Sequence, residues 1–297
     1  MTASAQPAYT QENLPLGGLY ALASFLCLAA MSAFAKAAGD HAPTIVIVFF
    51  QNFICLVLIA PFALRHGLEP LKTRRAPLHL LRAVCGTGSW FGLFVAISMV
   101  PLANAVLLTY SAPLWMPLIA WLISRQRIGR RLWIGMVLGF VGVVLVLHPS
   151  GASFNAGALF ALGAAILLAL TLILVRRLST TEPTTRILFY YFLLSSVITI
   201  PPAIAMWAPV DPIGWVYMAA IGLCFMGSQV FIILAYRQAT AVKLGPLIYS
   251  VIVFTALINW LVWSATPTWL ELAGMACVII GGVVAVAKHN ASAAHPS

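Results

Sequence analysis

Nine polar or aromatic side chains stand inside long apolar stretches of the sequence, where they are suited to binding a small molecule. They are Gln51, Asn52, Ser89, Trp90, Tyr110, Trp115, Ser228, Gln229 and Tyr249. Amides and hydroxyls donate and accept hydrogen bonds, and aromatic rings offer apolar faces. Polar groups are costly to leave facing lipid, so these side chains should face a cavity or a helix interface. The chemistry that they support is noncovalent binding.

Two interpretations of these residues stay open. Gln51 and Asn52 would supply donors and acceptors to a polar substrate, or they would form interhelical hydrogen bonds, which contribute about 0.6 kcal/mol on average in membranes. Trp90, Tyr110 and Tyr249 would wall a cavity for an apolar or aromatic substrate. Aromatic residues at helical spacing are also common in packing between helices.

Catalytic and metal chemistry finds little support in the sequence. The six His residues have no ligand spacing, no nucleophile stands beside a base, and the five Cys residues all lie in apolar segments. No Gly-Lys-Ser/Thr phosphate loop occurs, which excludes ATP-driven transport by this chain alone. We therefore predict no catalytic residue, no metal site and no cofactor, and expect that the protein is not an enzyme.

The composition predicts an all-α polytopic membrane protein. Of the 297 residues, 62% are hydrophobic and 7% are charged, whereas about a quarter are charged in soluble proteins. Apolar runs of about 20 residues span a bilayer as helices, and ten such runs occur. They cover residues 16–37, 43–64, 79–100, 102–123, 131–148, 155–176, 185–206, 214–236, 242–263 and 268–287. Pro101 and Thr240 mark tight hairpins in this pattern.

Basic residues predict the orientation. If the amino terminus is cytoplasmic, every one of the sixteen Lys and Arg residues except Lys36 falls in an inner loop or at an inner helix end. The positive-inside rule then places both termini in the cytoplasm. The net charge of +10 is spread over short clusters rather than one basic face, so we expect a lipid bilayer as partner and no nucleic acid.

The chain repeats itself. At a constant offset of 139 residues, Cys85 pairs with Cys224, Ser89 with Ser228, Tyr110-Ser111 with Tyr249-Ser250, and Trp121 with Trp260. Each copy contains five predicted helices, and five is odd. The second copy should therefore enter the membrane upside down, which gives two inverted five-helix repeats. Many secondary transporters have this architecture, with the substrate site near the bilayer midplane between the repeats.

Residues 16 to 287 resemble the EamA-type branch of the drug/metabolite transporter superfamily. The resemblance rests on the double repeat, on SMVPLANAVLLTYSAPLWMPLIAWL across the third and fourth predicted helices, and on GMVLGFVGVVLVL and GMACVIIGGVVAV in the fifth and tenth. The chain looks most like the YddG-type amino acid exporters. It departs from the family where Ser124-Arg125-Gln126 and Ser264-Ala265-Thr266 replace an acidic residue, and where Gln51 replaces a basic one.

The resemblance implies a secondary transporter of the bacterial inner membrane that exports aromatic or large neutral amino acids, or similar metabolites, by alternating access. The alternative is uptake of a vitamin, a nucleoside-type cofactor or another metabolite by the same fold. We expect cytosolic tails at 1–15 and 288–297, repeats at 16–148 and 155–287, and a monomer or weak homodimer. A lipid translocase or a purely structural membrane protein fits less well.

Overall fold

The computed structural model describes residues 13–65, 71–124, 130–147, 156–179, 181–238 and 244–286, and within them it contains helices and no strand. The first repeat holds α1 (Leu14–Ala38), α2 (Thr44–Leu64), α3 (Ala76–Met99), α4 (Leu102–Thr109), α5 (Ala112–Ser124) and α6 (Arg130–Leu147). The second holds α7 (Ala156–Ser179), α8 (Thr184–Ala205), α9 (Pro212–Gln238), a 3-10 helix (Gly245–Tyr249), α10 (Ser250–Trp263) and α11 (Trp269–Val286). The predicted all-α class is confirmed across these residues.

Local sequence signals set several helix ends. The Asn13 side chain accepts a hydrogen bond from the Leu16 amide at 3.1 Å, which caps α1 at its start. The chain turns extended at Val100, directly before Pro101, so α3 ends there and α4 begins after the proline. The hairpin predicted at Pro101 is therefore confirmed, whereas Thr240 lies outside the described residues.

The helices predicted at 102–123 and 242–263 are each interrupted, which differs from the prediction of continuous spans. In the first repeat α4 ends at Thr109 and α5 begins at Ala112, so Tyr110 and Ser111 form the break. In the second repeat a 3-10 helix ends at Tyr249, and α10 begins at Ser250. A proline close to each break removes a backbone donor, which weakens the continuous helical hydrogen-bond pattern.

Among the described residues, six helices are long and apolar enough, by length and composition, to cross a membrane. They are Leu14–Ala38, Thr44–Leu64, Ala76–Met99, Ala156–Val175, Thr184–Ala205 and Pro212–Ala235, and shorter apolar helices cover Leu247–Trp263 and Trp269–Gly281. Large apolar side chains such as Leu26, Val57 and Val216 lie exposed on these helices. Such surfaces suit contact with lipid, and the protein is a multi-pass membrane protein.

Helix packing has the same pattern when the two repeats are exchanged. In the first repeat α1 packs mainly against α9, and its counterpart α7 packs mainly against α3. The contact of α1 with α10 likewise corresponds to the contact of α7 with α4 and α5. The pairs α2 with α8 and α6 with α11 each correspond to themselves. The core is therefore built chiefly from contacts between the two repeats.

Glycines bring α6 and α11 close together. A Cβ atom added at Gly142 would lie 2.6 Å from the Gly274 carbonyl oxygen, and one added at Gly281 would lie 2.6 Å from the Gly135 carbonyl oxygen. These two contacts are counterparts at the offset of 139 residues. Real Cβ atoms do not approach backbone oxygens so closely, so only glycine fits at these positions.

Candidate functional site

A cluster of aromatic rings occupies the region where α3, α8 and α9 meet. The Trp90 ring meets the Phe225 ring edge-on at 5.0 Å between centroids, Phe225 meets Phe192 at 5.9 Å, and Phe192 meets Tyr191 at 5.2 Å. Tyr191, Phe192 and Phe225 are buried, and Trp90 is half-buried. We call these four residues the central aromatic cluster. Edge-on ring pairs of this kind add stability beyond their burial.

A glycine allows Tyr191 to lie directly against α3. A Cβ atom added at Gly86 would come within 2.6 Å of the Tyr191 ring. Ser195, Trp90 and Cys55 are also close enough to the Tyr191 hydroxyl to interact with it electrostatically. The Cys55 thiol in turn donates to the Gly222 carbonyl oxygen on α9 at 3.4 Å. The face of α2 that carries Cys55 therefore points toward α8 and α9.

Gln51 and Asn52 lie on α2, where Gln51 precedes Cys55 by one helical turn. Both side chains are fully buried. The Asn52 side chain donates to the Val48 carbonyl oxygen at 2.8 Å, but its own oxygen has no partner. The Gln51 amide has no partner for its nitrogen or its oxygen. An unpaired buried amide is costly, which makes these groups candidates for binding a ligand.

Tyr110 and Tyr249 are buried at the two helix breaks, where Tyr110 follows α4 and Tyr249 ends the 3-10 helix. The hydroxyls of Tyr249 and its neighbour Ser250 are buried without a partner. The side chain of the nearby Trp115 contacts Ser111 and α6. Its indole donates to the Ser111 hydroxyl at 3.2 Å, and its ring packs edge-on against Phe140 of α6.

Ser89 and Ser228 lie at helix interfaces. The Ser89 hydroxyl donates to the Ala164 carbonyl oxygen on α7 at 2.9 Å. The Ser228 hydroxyl shares a hydrogen bond of 3.0 Å with the Ser24 hydroxyl on α1. These counterparts therefore join equivalent helix pairs. Gln229, the counterpart of Trp90, is half-buried on α9.

A polar cluster closes the end of the bundle that holds Asn13, which we call the amino-terminal end. The Thr73 hydroxyl donates to the buried Glu182 carboxylate at 2.7 Å, and Arg186 forms an ion pair with Glu182 at 2.6 Å. Burial alone would raise the pKa of Glu182. The hydrogen bonds from Thr73 and Arg186, together with the charges of Arg186 and His79, outweigh burial and hold the pKa below its ordinary value.

Two buried basic residues of α3 lie between this end and the central aromatic cluster. Arg82 places its guanidinium carbon 4.4 Å from the Tyr191 ring centroid and donates to the Ile187 carbonyl oxygen at 3.1 Å. The His79 ring packs against the Tyr190 ring at 4.9 Å. In the sequence Arg82 counts only as a basic residue at an inner helix end, and His79 is one of six histidines without ligand spacing. The signal was present, since both fall inside the span predicted at 79–100.

Contacts between the repeats also cross the opposite end of the bundle. Lys36 donates to Asn259 at 3.4 Å, His41 meets Asp211 at 3.0 Å, and Asn104 donates to Glu271 at 2.6 Å. In each contact one residue belongs to the first repeat and the other to the second.

Within the part of the chain that the structure describes, no group of three His, Cys, Asp or Glu residues could hold a metal ion.

Comparison with known proteins gives two matches to one family profile. The EamA-like transporter family matches residues 15–148 and again residues 155–287. A solved crystal structure covering 94% of this chain and 99% of its own superposes with a TM-score of 0.65 at 21% sequence identity. This likeness shows a shared fold.

Several curated relatives are transporters. The pseudopaline exporter CntI of Pseudomonas aeruginosa is 29% identical over 91% of this chain and 95% of its own length. The S-adenosylmethionine uptake transporter of Rickettsia felis is 28% identical, with coverages of 87% and 88%. The riboflavin transporter of Vibrio cholerae is 26% identical, with coverages of 89% and 90%. These relatives carry different small molecules.

Proposed function

The chain belongs to the EamA-like transporter family, and we propose that it is a secondary transporter that carries a small metabolite across the bacterial inner membrane by alternating access. Transport of small metabolites is what its relatives share, and none of those compared is named as an enzyme. Substrate, direction and mechanism are the proposed part.

The observation that carries this proposal is the set of unpaired polar atoms buried among helices of both repeats. Gln51 and Asn52 on α2 present amide atoms without partners, and Tyr249 presents a hydroxyl without one. The central aromatic cluster supplies apolar ring faces on α3, α8 and α9. Unpaired polar groups in a buried site are expensive for folding alone, and a substrate that bonds to them offsets that cost.

For the substrate, we propose an aromatic or large neutral amino acid, or a similar metabolite, moved outward. The rings of Trp90 and Tyr191 would pack against its apolar part, and the amides of α2 would bind its polar part. Uptake of a vitamin or a nucleoside-type cofactor is the second candidate. It is favoured by the similarity to the S-adenosylmethionine and riboflavin transporters.

For the mechanism, we propose that the repeats are inverted and rock against each other, with both termini in the cytoplasm and the protein a monomer or weak homodimer. The exchange symmetry of the helix pairs supports this arrangement. Contacts between the repeats close both ends, through Thr73 and Glu182 at one and His41 and Asp211 at the other. In each state of the transport cycle, the contacts at one end of the bundle would break while those at the other end stay formed.

Counterflow in proteoliposomes tests the proposal. Vesicles are loaded with one unlabelled compound at a time, chosen from amino acids, riboflavin, S-adenosylmethionine and nucleosides, and uptake of the same labelled compound is followed. Counterflow needs no driving gradient, so it reports binding and exchange whatever the coupling. Accumulation of one compound supports the proposal, and silence across the whole panel in folded protein overturns it.

The orientation is tested separately. A fluorescent protein fused to the carboxyl terminus should fluoresce in cells, and alkaline phosphatase fused at the same place should be inactive. The reverse result would place the carboxyl terminus outside and would contradict the proposed topology.

A further inference from the structure

Arg82 is a buried cation whose contacts in the described part of the chain include no anion. The side chain is 7% exposed on a helix that is apolar enough to cross a membrane. Its guanidinium stays protonated in proteins, and a buried charge normally pairs with an opposite charge. Within the part of the chain that the structure describes, no carboxylate lies within ion-pair distance of Arg82, whose contacts are the Ile187 carbonyl oxygen and the Tyr191 ring.

The described carboxylate at the adjoining amino-terminal end is already engaged. Glu182 accepts from Thr73 and Arg186, and these two contacts occupy its two oxygens separately. The carbonyl oxygen of Ile187 and the face of Tyr191 hold Arg82 in place, but neither carries a full negative charge. Among the described residues, no full negative charge therefore balances the positive charge of Arg82.

Unused donors mark the same place. The Nε atom of Arg82 is buried without a hydrogen-bond partner, and so are both ring nitrogens of His79, which is 1% exposed. His79 precedes Arg82 by one helical turn, and the two side chains are close enough to interact electrostatically. Two adjacent buried side chains thus hold unpaired nitrogen atoms, one of them on a permanent cation.

We propose that Arg82, with His79 beside it, binds the carboxylate of the transported substrate. The planar guanidinium fork suits a carboxylate, which accepts two parallel hydrogen bonds. Tyr191 joins this position to the central aromatic cluster, so a substrate with a carboxylate at one end and an apolar or aromatic group at the other fits the arrangement. The inference rests on the transport function proposed above and narrows its substrate to carboxylate-bearing metabolites.

Matched chemical pairs test the proposal in the wild-type protein. Counterflow of labelled L-tryptophan, L-phenylalanine and nicotinate is measured, each in competition with its own carboxamide. We expect at least one carboxylate to exchange and its carboxamide to compete at least about tenfold less well. If the carboxamide competes as well as the unlabelled form of the carboxylate that exchanges, the proposed role of Arg82 is overturned. This comparison needs no variant.

Variants then assign the effect to Arg82. Arg82→Gln should weaken exchange of the carboxylate by about tenfold to a hundredfold, and Arg82→Lys should recover only part of it because lysine lacks the planar fork. Arg186→Gln removes an equal charge from the amino-terminal end and should change the carboxylate preference less than twofold. Wild-type exchange of the carboxylate by Arg82→Gln would overturn the proposal.

The same panel distinguishes failure of the proposed transport function from failure of the proposed role of Arg82. Riboflavin, which has no carboxylate, is included in the same panel. If riboflavin exchanges in wild type and in Arg82→Gln while no carboxylate does, the transport function stands and the Arg82 proposal is overturned. If no compound exchanges in folded protein, both fail together.

Discussion

The guanidinium carbon of Arg82, in the first repeat, lies 4.4 Å from the ring centroid of Tyr191, in the second. The contact joins the polar cluster at the amino-terminal end to the central aromatic cluster, because Tyr191 also packs against Phe192. Residues at the amino-terminal end and residues deep in the bundle are therefore parts of one connected structure.

Acid should loosen the amino-terminal end. The folded protein holds the pKa of Glu182 below its ordinary value of 4.5, so folding favours the ionised carboxylate. The stabilisation is fully present above pH 4.5 and is lost as the pH falls through the lower folded-state pKa. Thermal unfolding in detergent should show a smaller drop in Tm between neutral and acid pH for Glu182→Gln than for wild type. Equal drops would contradict the assignment.

Glycine replacement at the crossing of α6 and α11 should destabilise the fold. Gly142→Ala and Gly281→Ala each place a Cβ against a backbone oxygen of the other repeat, and each should cost about 1–3 kcal/mol. Gly163→Ala is the matched control, because a Cβ there meets no atom within 4 Å. Thermal unfolding of the three variants makes the comparison, and a control as unstable as the other two would refute the steric cause.

Gln51→Leu should separate transport from folding. The substitution removes a buried amide that has no hydrogen-bond partner, so the Tm should stay constant or rise. If the amide binds substrate, exchange in counterflow should fall at least about tenfold. Thr255→Val is the control, since that hydroxyl is already bonded to carbonyl oxygens of its own helix. Full exchange by Gln51→Leu would remove Gln51 from the site.

Two tyrosine hydroxyls should respond differently to the same chemical change. Tyr249→Phe removes a hydroxyl without a partner and should leave the Tm unchanged while lowering exchange. Tyr190→Phe removes a hydroxyl that donates to the Leu71 carbonyl oxygen at 3.0 Å and should cost about 1 kcal/mol of stability. Tm and counterflow are measured on both. Lower stability with intact exchange in Tyr249→Phe would assign it to packing.

Much of the fold follows from the sequence because its signals are local. Apolar length predicts the spans, and Pro101 correctly predicts the turn after α3. The breaks beside Tyr110 and Tyr249 were not predicted. Apolar residues run through both segments, and hydropathy alone does not register a change of backbone hydrogen bonding.

The site is harder to predict, because it depends on the direction in which each side chain points as much as on its depth in the membrane. Ser89 and Trp90 are neighbours in sequence, yet the Ser89 hydroxyl bonds to α7 while the Trp90 ring meets α9. The position of Arg82 beside the central aromatic cluster depends on its contact with Tyr191, which lies more than a hundred residues further along the chain. A single sequence shows that each residue is in a span, but it does not show which helix each one faces.

The glycine crossing of α6 and α11 has a mechanical consequence for a rocking transporter. The crossing maps onto itself when the repeats are exchanged, so the axis of the proposed inverted repeat would pass through it. Points on an axis of rotation are displaced least while the ends of the bundle swing. Glycine backbone packs there against the backbone of the other repeat, so the two helices would pivot at this crossing with little rearrangement of side chains.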